Sequence, residues 1–139
     1  VIEATRDTET VLDFGDGQYR FFLPLREVSE FESKHEPILS AQPRLHAAIG
    51  FTRDRKPVLV EEARVDANLC RDVIRLALIG GNEGETDQGV EEVGPNRAKE
   101  LVDLYAYPNR PLEETAALAW QILATAVYGR KKLLGDGDI

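Results

Sequence analysis

The spacing of apolar positions changes period several times along this chain, and each change marks an element. Thr10–Phe14 and Gln18–Leu23 are rich in β-branched and aromatic residues, with Gly15-Asp16-Gly17 between them. Two such runs around a three-residue, glycine-containing loop predict a β-hairpin. Its buried face would carry Leu12, Phe14, Tyr19 and Phe21. Residues 1–9 are polar and aperiodic, and read as a loose lead-in.

Helical spacing follows. Pro24 opens a short helix over Leu25–His35, on which Leu25, Val28 and Phe31 recur about one turn apart, and Pro37 ends it. A second helix is expected over Ile38–Ile49, with Pro43 able to restrict it to Arg44–Ile49 and Gly50 closing it. Phe51–Pro57 is basic and turn-like. Val58-Leu59-Val60 reads as strand and Glu61–Arg64 as helix, so a short strand or extended connector is expected over Pro57–Val65. Asp66 suits the N-cap of a helix over Ala67–Ile79, with an apolar stripe of Leu69, Cys70, Val73, Ile74, Leu76 and Ala77. Gly80 or Gly81 would supply the left-handed residue that commonly stops a helix.

Residues 82–94 hold five acids, three glycines and no basic residue, and predict a mobile surface loop. Pro95–Tyr105 is a further helix, with Ala98, Leu101, Val102 and Tyr105 on one face and Pro108 as its stop. Pro111 opens the last helix, Leu112–Tyr128, with Glu113 and Glu114 in its first turn and Arg130, Lys131 and Lys132 beyond its end. That helix is apolar almost all round. It is therefore either the centre of the core or a helix with one face covered by another subunit. The tail from Leu133 to Ile139 reads as frayed, and no internal repeat is found. The expectation is one domain over residues 1–139, α+β, with an N-terminal β-hairpin packed on a bundle of four to five α-helices.

Composition narrows the functional classes. A net charge of -8 argues against a phosphate-binding surface and against docking on anionic lipid. Ala116–Val127, the most apolar run, is broken by Gln121 and Thr125 and falls short of the ~20 residues that span a bilayer. No signal-peptide pattern opens the chain, and without any methionine the initiator at least is expected to be missing. Cys70 is the single cysteine, which fits a reducing cytoplasm. It falls in a helical apolar stripe and reads as a small buried hydrophobe. His35 and His46 sit in no recognisable catalytic motif and read as structural. Asp13 with Asp16-Gly17, and Gly135-Asp136-Gly137-Asp138, lack the ligand alternation of a calcium loop. There is no P-loop, and Asp13-Phe14-Gly15 is a chance match to a kinase tripeptide. No catalytic residue, metal or cofactor is assigned. The acidic run Glu83–Glu92 is a solvated loop or an arm for a basic partner. The last helix is core, or a docking face for an apolar helix with Trp120 and Tyr128 as anchors.

Three blocks stand out in order along the chain. The first is the hairpin with Asp16-Gly17-Gln18-Tyr19-Arg20-Phe21 running into Leu23-Pro24-Leu25 and the short helix through Glu32. The second is Arg71-Asp72-Val73-Ile74-Arg75-Leu76-Ala77-Leu78-Ile79-Gly80-Gly81, with Arg75, Ile79, Gly80 and Gly81 as its structural motif. The third is Ala98-Lys99-Glu100-Leu101-Val102 with Tyr105, then Arg110-Pro111-Leu112 opening an Ala-rich helix that ends in Tyr128-Gly129. Together these blocks, over roughly residues 10–130, resemble the tail assembly chaperone family of gene transfer agents and related siphophage-like prophages. Two segments depart from the family pattern: the Arg53–Val65 connector is longer, and residues 82–94 are more acidic.

The resemblance implies a non-enzymatic cytoplasmic protein of virion assembly. It would bind the aggregation-prone tape-measure protein, keep it soluble while the tail tube protein polymerises, and leave the finished bacteriophage-like tail. The tail tube protein would be a second partner and a homo-oligomer is allowed; no nucleic acid and no membrane is implied. The expected partner-binding residues are Leu118, Trp120, Ile122 and Tyr128. Two other readings compete: a small structural or adaptor subunit retained in the particle, and a small enzyme with an unfamiliar site.

Overall fold

The computed structural model of the chain describes residues 2–60 and 66–134. The N-terminal hairpin forms as its alternation dictates, pairing β1 (Thr10–Phe14) with β2 (Gly17–Phe21) in register Leu12↔Tyr19 and Phe14↔Gly17. The connection is two residues rather than three. Gly15 takes φ 59° and Asp16 follows it, while Gly17 already belongs to β2. Phe14, Tyr19 and Phe21 are buried as expected, and Leu12 is half-buried. Phe14 meets Tyr19, Phe21 and Tyr105 edge-on at 6.1–6.4 Å between ring centres.

Among the described residues, six helices and two further strand pairs accompany the N-terminal hairpin. The helices are α1 (Leu25–Lys34), α2 (Ile38–Ala48), α3 (Ala67–Gly81), α4 (Pro95–Tyr105), α5 (Leu112–Tyr128) and the four-residue α6 (Arg130–Leu133). β3 (Ile49–Phe51) and β4 (Pro57–Leu59) make a small antiparallel ribbon. β5 (Glu83–Thr86) and β6 (Gly89–Glu92) form a second hairpin, which joins the first in a four-stranded antiparallel sheet of order β1-β2-β5-β6. The fold is thus α+β, with a sheet in place of an isolated hairpin.

That second hairpin corrects the expected mobile loop over 82–94. Its strands are too poor in apolar residues to betray a buried face. They are held instead by backbone pairing to β2, by Arg20 against Glu83 and by Arg97 against Glu91. Gly84 lies opposite Tyr19, whose ring occupies the space a side chain would need.

α3 is the central helix, packed on β2, α1, α4 and α5. Asp66 caps it, its Oδ1 accepting the Leu69 N–H at 2.7 Å. Its stop is not the expected glycine. The helix runs through Gly81, and Asn82 takes the left-handed conformation at φ 62°. Gly80 and Gly81 serve close approach instead. A Cβ on Gly81 would lie 1.8 Å from the Arg20 carbonyl oxygen, and one on Gly80 2.1 Å from that of Phe22. The other two residues expected in this motif lie alongside: Ile79 packs half-buried on the core, and Arg75 reaches Asp72 and Glu30.

Other boundaries shift for local reasons. α2 continues through Pro43, which lies on the solvent side while Ala41, Leu45 and Ala48 hold the opposite face in the core. α1 buries Phe31 and Glu27, whereas Leu25 is 80% exposed. Gly50 and Phe51, expected to close α2 and open a turn, pair with β4. The Pro57–Val65 connector starts as strand β4, and its helix reading over Glu61–Arg64 lies outside the described residues.

The lead-in is also docked rather than loose. Ile2 is buried, and Glu9 gathers the N–H groups of Thr5 and Arg6, the Thr5 hydroxyl and the Arg6 guanidinium. Burial pushes the Glu9 carboxyl up, but those hydrogen bonds outweigh it and hold its pKa below the usual glutamate value. The backbone carbonyl and carboxylate of Asp7 accept the N–H groups of Arg130 and Lys131, so the lead-in caps the turn between α5 and α6. Leu133 and Leu134, expected in a frayed tail, end that ordered turn.

Two outcomes follow from this packing. Gly81→Ala should lose about 3 kcal/mol, the upper range for overpacking, whereas Gly94→Ala, with nothing within 4 Å of the new Cβ, should lose under about 1 kcal/mol; urea unfolding measures both. Because the folded pKa of Glu9 is lowered, its contribution is complete above the usual glutamate range and vanishes as pH falls through the folded value. Glu9→Gln should therefore lose less stability than the parent between neutral pH and about pH 3, measured as the difference of their thermal midpoints.

Candidate functional site

The apolar excess of α5 is only partly absorbed by the core. Thr115, Ala116, Ala119, Ile122, Leu123, Ala124 and Thr125 are buried against α3 and α2. Leu118 and Trp120 are half-buried and emerge on the far side. There they help line a groove of about 750 Å³.

The groove has two walls of β structure. One is β1, whose consecutive residues Thr10, Val11, Leu12 and Asp13 all border it. The other is the β3–β4 ribbon, through Phe51, Arg55 and Pro57. Ala117, Leu118, Trp120, Gln121 and Thr125 of α5 lie between them, and Arg130, Leu133 and Leu134 close one end. A second, smaller hollow of about 350 Å³ continues past Asp13 and Leu118 to Tyr105 and Arg110.

The ribbon wall is pinned in place. Leu59 donates its N–H to the Glu113 carboxylate at 2.9 Å, and Val60 donates to the Ala48 carbonyl at 3.0 Å. Trp120 is fixed as well. Its Nε1–H donates to Nδ1 of His46 at 3.2 Å, and Phe51 meets its ring edge-on at 5.4 Å. The indole is thus pre-organised and costs little entropy to present to a partner.

The expected partner-binding residues separate. Leu118 and Trp120 share the groove. Ile122 is 2% exposed and belongs to the core, so it is not available to a partner. One hundred degrees per residue carries it from the Trp120 side round to α3. Tyr128 is 46% exposed and lines another hollow with Gln42, Pro43, His46 and Lys132, which shares Leu133 with the groove. Its hydroxyl donates to Gln42, and Lys132 stands over its ring. Missed from sequence were Val11, Leu12, Phe51, Pro57, Leu133 and Leu134. Phe51 in a basic turn and the Leu133-Leu134 pair beyond Gly129 were the available signals.

Most side chains able to do chemistry already have partners, His46 accepting from Trp120 beside the groove. Cys70 is buried, and burial with the nearby Asp66 charge pushes its thiol up to about 12. His35 contacts Asp72 at 2.7 Å within a network that ties α1 to α3 through Arg75 and Glu30. Asp13 accepts from the Gln18 amide, and Asp16 from the Tyr19 hydroxyl and Arg97. Among the described residues no group of three His, Cys, Asp or Glu side chains is placed to hold a metal ion, and no helix is long and apolar enough to cross a membrane. The Gly135–Asp138 motif lies outside those residues. What the arrangement offers is an apolar concave surface with a rigid aromatic anchor. Comparison of the chain with protein families, with curated proteins and with solved structures finds no match.

Proposed function

We propose that this chain is a non-enzymatic tail assembly chaperone. It shelters an apolar stripe of a tape-measure protein in the cytoplasm, keeps that protein soluble while tail tube protein polymerises, and then lets go. The observation that carries this reading is the open groove beside α5, with Leu118, Phe51 and the pre-organised Trp120 facing solvent between two fixed walls. Aromatic anchors in a pocket supply most of the energy of such contacts. The order of the three sequence blocks supports the family, and the net charge of -8 would keep a complex soluble. A non-enzymatic role accords with a buried Cys70 and a His35 held in an ion network.

The groove is open to solvent, which suits transient holding. Release requires a modest interface with a fast off-rate, and tube subunits competing for the same stripe would draw the tape measure away.

Co-expression tests the proposal. The tape-measure protein should move into the soluble fraction with this chain present, and equal insolubility with and without it would overturn the reading. Trp120→Ala should weaken binding by about 2 kcal/mol, roughly thirty-fold in Kd, with the helical circular dichroism retained. Mass spectrometry of finished particles should find the chain depleted relative to tube protein. Stoichiometric retention would replace the chaperone with a structural subunit.

A further inference from the structure

We propose that the groove takes its partner as an extended strand added to the free edge of β1. This rests on the preceding reading only for the identity of the partner.

The backbone sets the requirement. In a two-residue hairpin the pair next to the turn exchanges both backbone bonds, and the pattern alternates from there. Phe14, Leu12 and Thr10 therefore bond to β2, and the odd-numbered residues of β1 direct their N–H and C=O groups away from it. The neighbouring bonds obey this parity. The Phe22 N–H points off the opposite edge of β2 to the Ala77 carbonyl. On the outer edge of β1 the Glu9 carbonyl accepts the Arg130 guanidinium at 3.2 Å, at the end of the groove. The next outward groups, on Val11 and Asp13, meet no hydrogen-bond partner among the described residues.

Those groups face the groove. Successive strand residues point to opposite faces of a sheet. Four consecutive residues lining one hollow can do so only if the edge of the strand, rather than one of its faces, borders it. A helix laid there would leave the edge amides unsatisfied, because its own backbone bonds are internal. An extended segment satisfies them and directs alternate side chains onto Leu118 and Trp120.

The other edge of the sheet is guarded. β6 is four residues long and carries Glu91 and Glu92, a usual protection against strand addition. A second copy is a poor occupant of the β1 edge, because two chains of net charge -8 repel on approach. Charge narrows the chemistry further. The groove is lined by Arg55 and Arg130 against Asp13 alone, in a chain of net charge -8. Arg55 makes no ion pair among the described residues. The occupant is an extended segment of another protein with alternating apolar residues and an acidic side chain.

Trp120 is the sole tryptophan and reports occupancy by its emission. Two probes are titrated into the intact chain: tryptophan-free peptides tiling the tape-measure protein, and a designed peptide alternating valine with threonine and one glutamate. A bound peptide should slow amide hydrogen exchange at Val11 and Asp13. N-methylation at alternate peptide positions should weaken binding by about tenfold, as loss of one or two backbone bonds implies, while the intervening positions tolerate it. Val11→Pro removes an outward donor without touching the β2 pairing and should weaken binding by a similar factor. A tiled peptide that shifts Trp120 emission without period-two sensitivity or Val11 protection would overturn strand addition and leave the chaperone reading standing. Binding of the designed probe alone would support strand addition and count against the tape-measure partner. Binding of neither would overturn both, and a dimer abolished by Val11→Pro would assign the edge to a second copy.

Discussion

The fold depends on one close approach, the backbone of Gly80 and Gly81 at the end of α3 lying directly on β2. Side chains on either glycine would collide with the carbonyls of Arg20 and Phe22. Because nothing intervenes, the Phe22 N–H reaches the Ala77 carbonyl at 3.1 Å and the Arg20 guanidinium reaches the Gly81 carbonyl at 3.0 Å. The central helix and the sheet are thereby joined through backbone rather than through adjustable side chains. Asn82 then turns the chain sharply enough for β5 to start beside β2. Helix, turn and strand pairing are consequences of the same contact, so an added methyl at this seam would act on all three together.

The groove is a by-product of that geometry. β2 lies on α3 and pairs with β5 on one side, which leaves β1 as an outer strand whose main contact is β2. α5 packs on the opposite part of α3 and carries the β3–β4 ribbon with it. Sheet and ribbon flank α5 without meeting over it, and the apolar side of α5 between them stays open. A helix apolar all round resolves here as neither of the two expected extremes. Most of it is core, and Leu118 and Trp120 are the remainder.

Much of this was legible in the sequence. Strong periodicity and proline punctuation located α4 and α5 to the residue, and the aromatic alternation located the first hairpin. Asp66 marked its helix start because capping is local chemistry. What stayed hidden was set by distant partners. β5 and β6 have no apolar face to read, and their strand state comes from pairing with β2 and from Arg97, which bridges Asp16, Glu91 and Glu100. Ribbon strands of three residues are likewise too short to carry a period. The lead-in looked loose because its anchor, Asp7 against the turn after Tyr128, joins opposite ends of the chain. For the groove, Leu118 and Trp120 of α5 do fall in its lining, but which apolar residues of an all-round helix face inward is a tertiary fact. The burial of Ile122 was unreadable for that reason.

Charge is placed unevenly over the surface. An acidic chain should repel acidic partners at long range, yet local fields follow local groups. Arg97 and Arg75 sit within clusters of acids on the sheet and on α3, and Arg110 pairs with Glu114, so those bases are neutralised where they stand. Arg55 and Arg130 are left along the groove with Asp13 as the one carboxylate in its lining. The exterior can thus keep the molecule soluble while the groove favours an acidic, apolar segment, and a charge at its rim acts on encounter rate and register more than on final affinity. Under the proposed chaperone reading, a holder that must release its cargo would benefit from that division, since orientation is gained without the tight desolvated ion pairs that would slow departure.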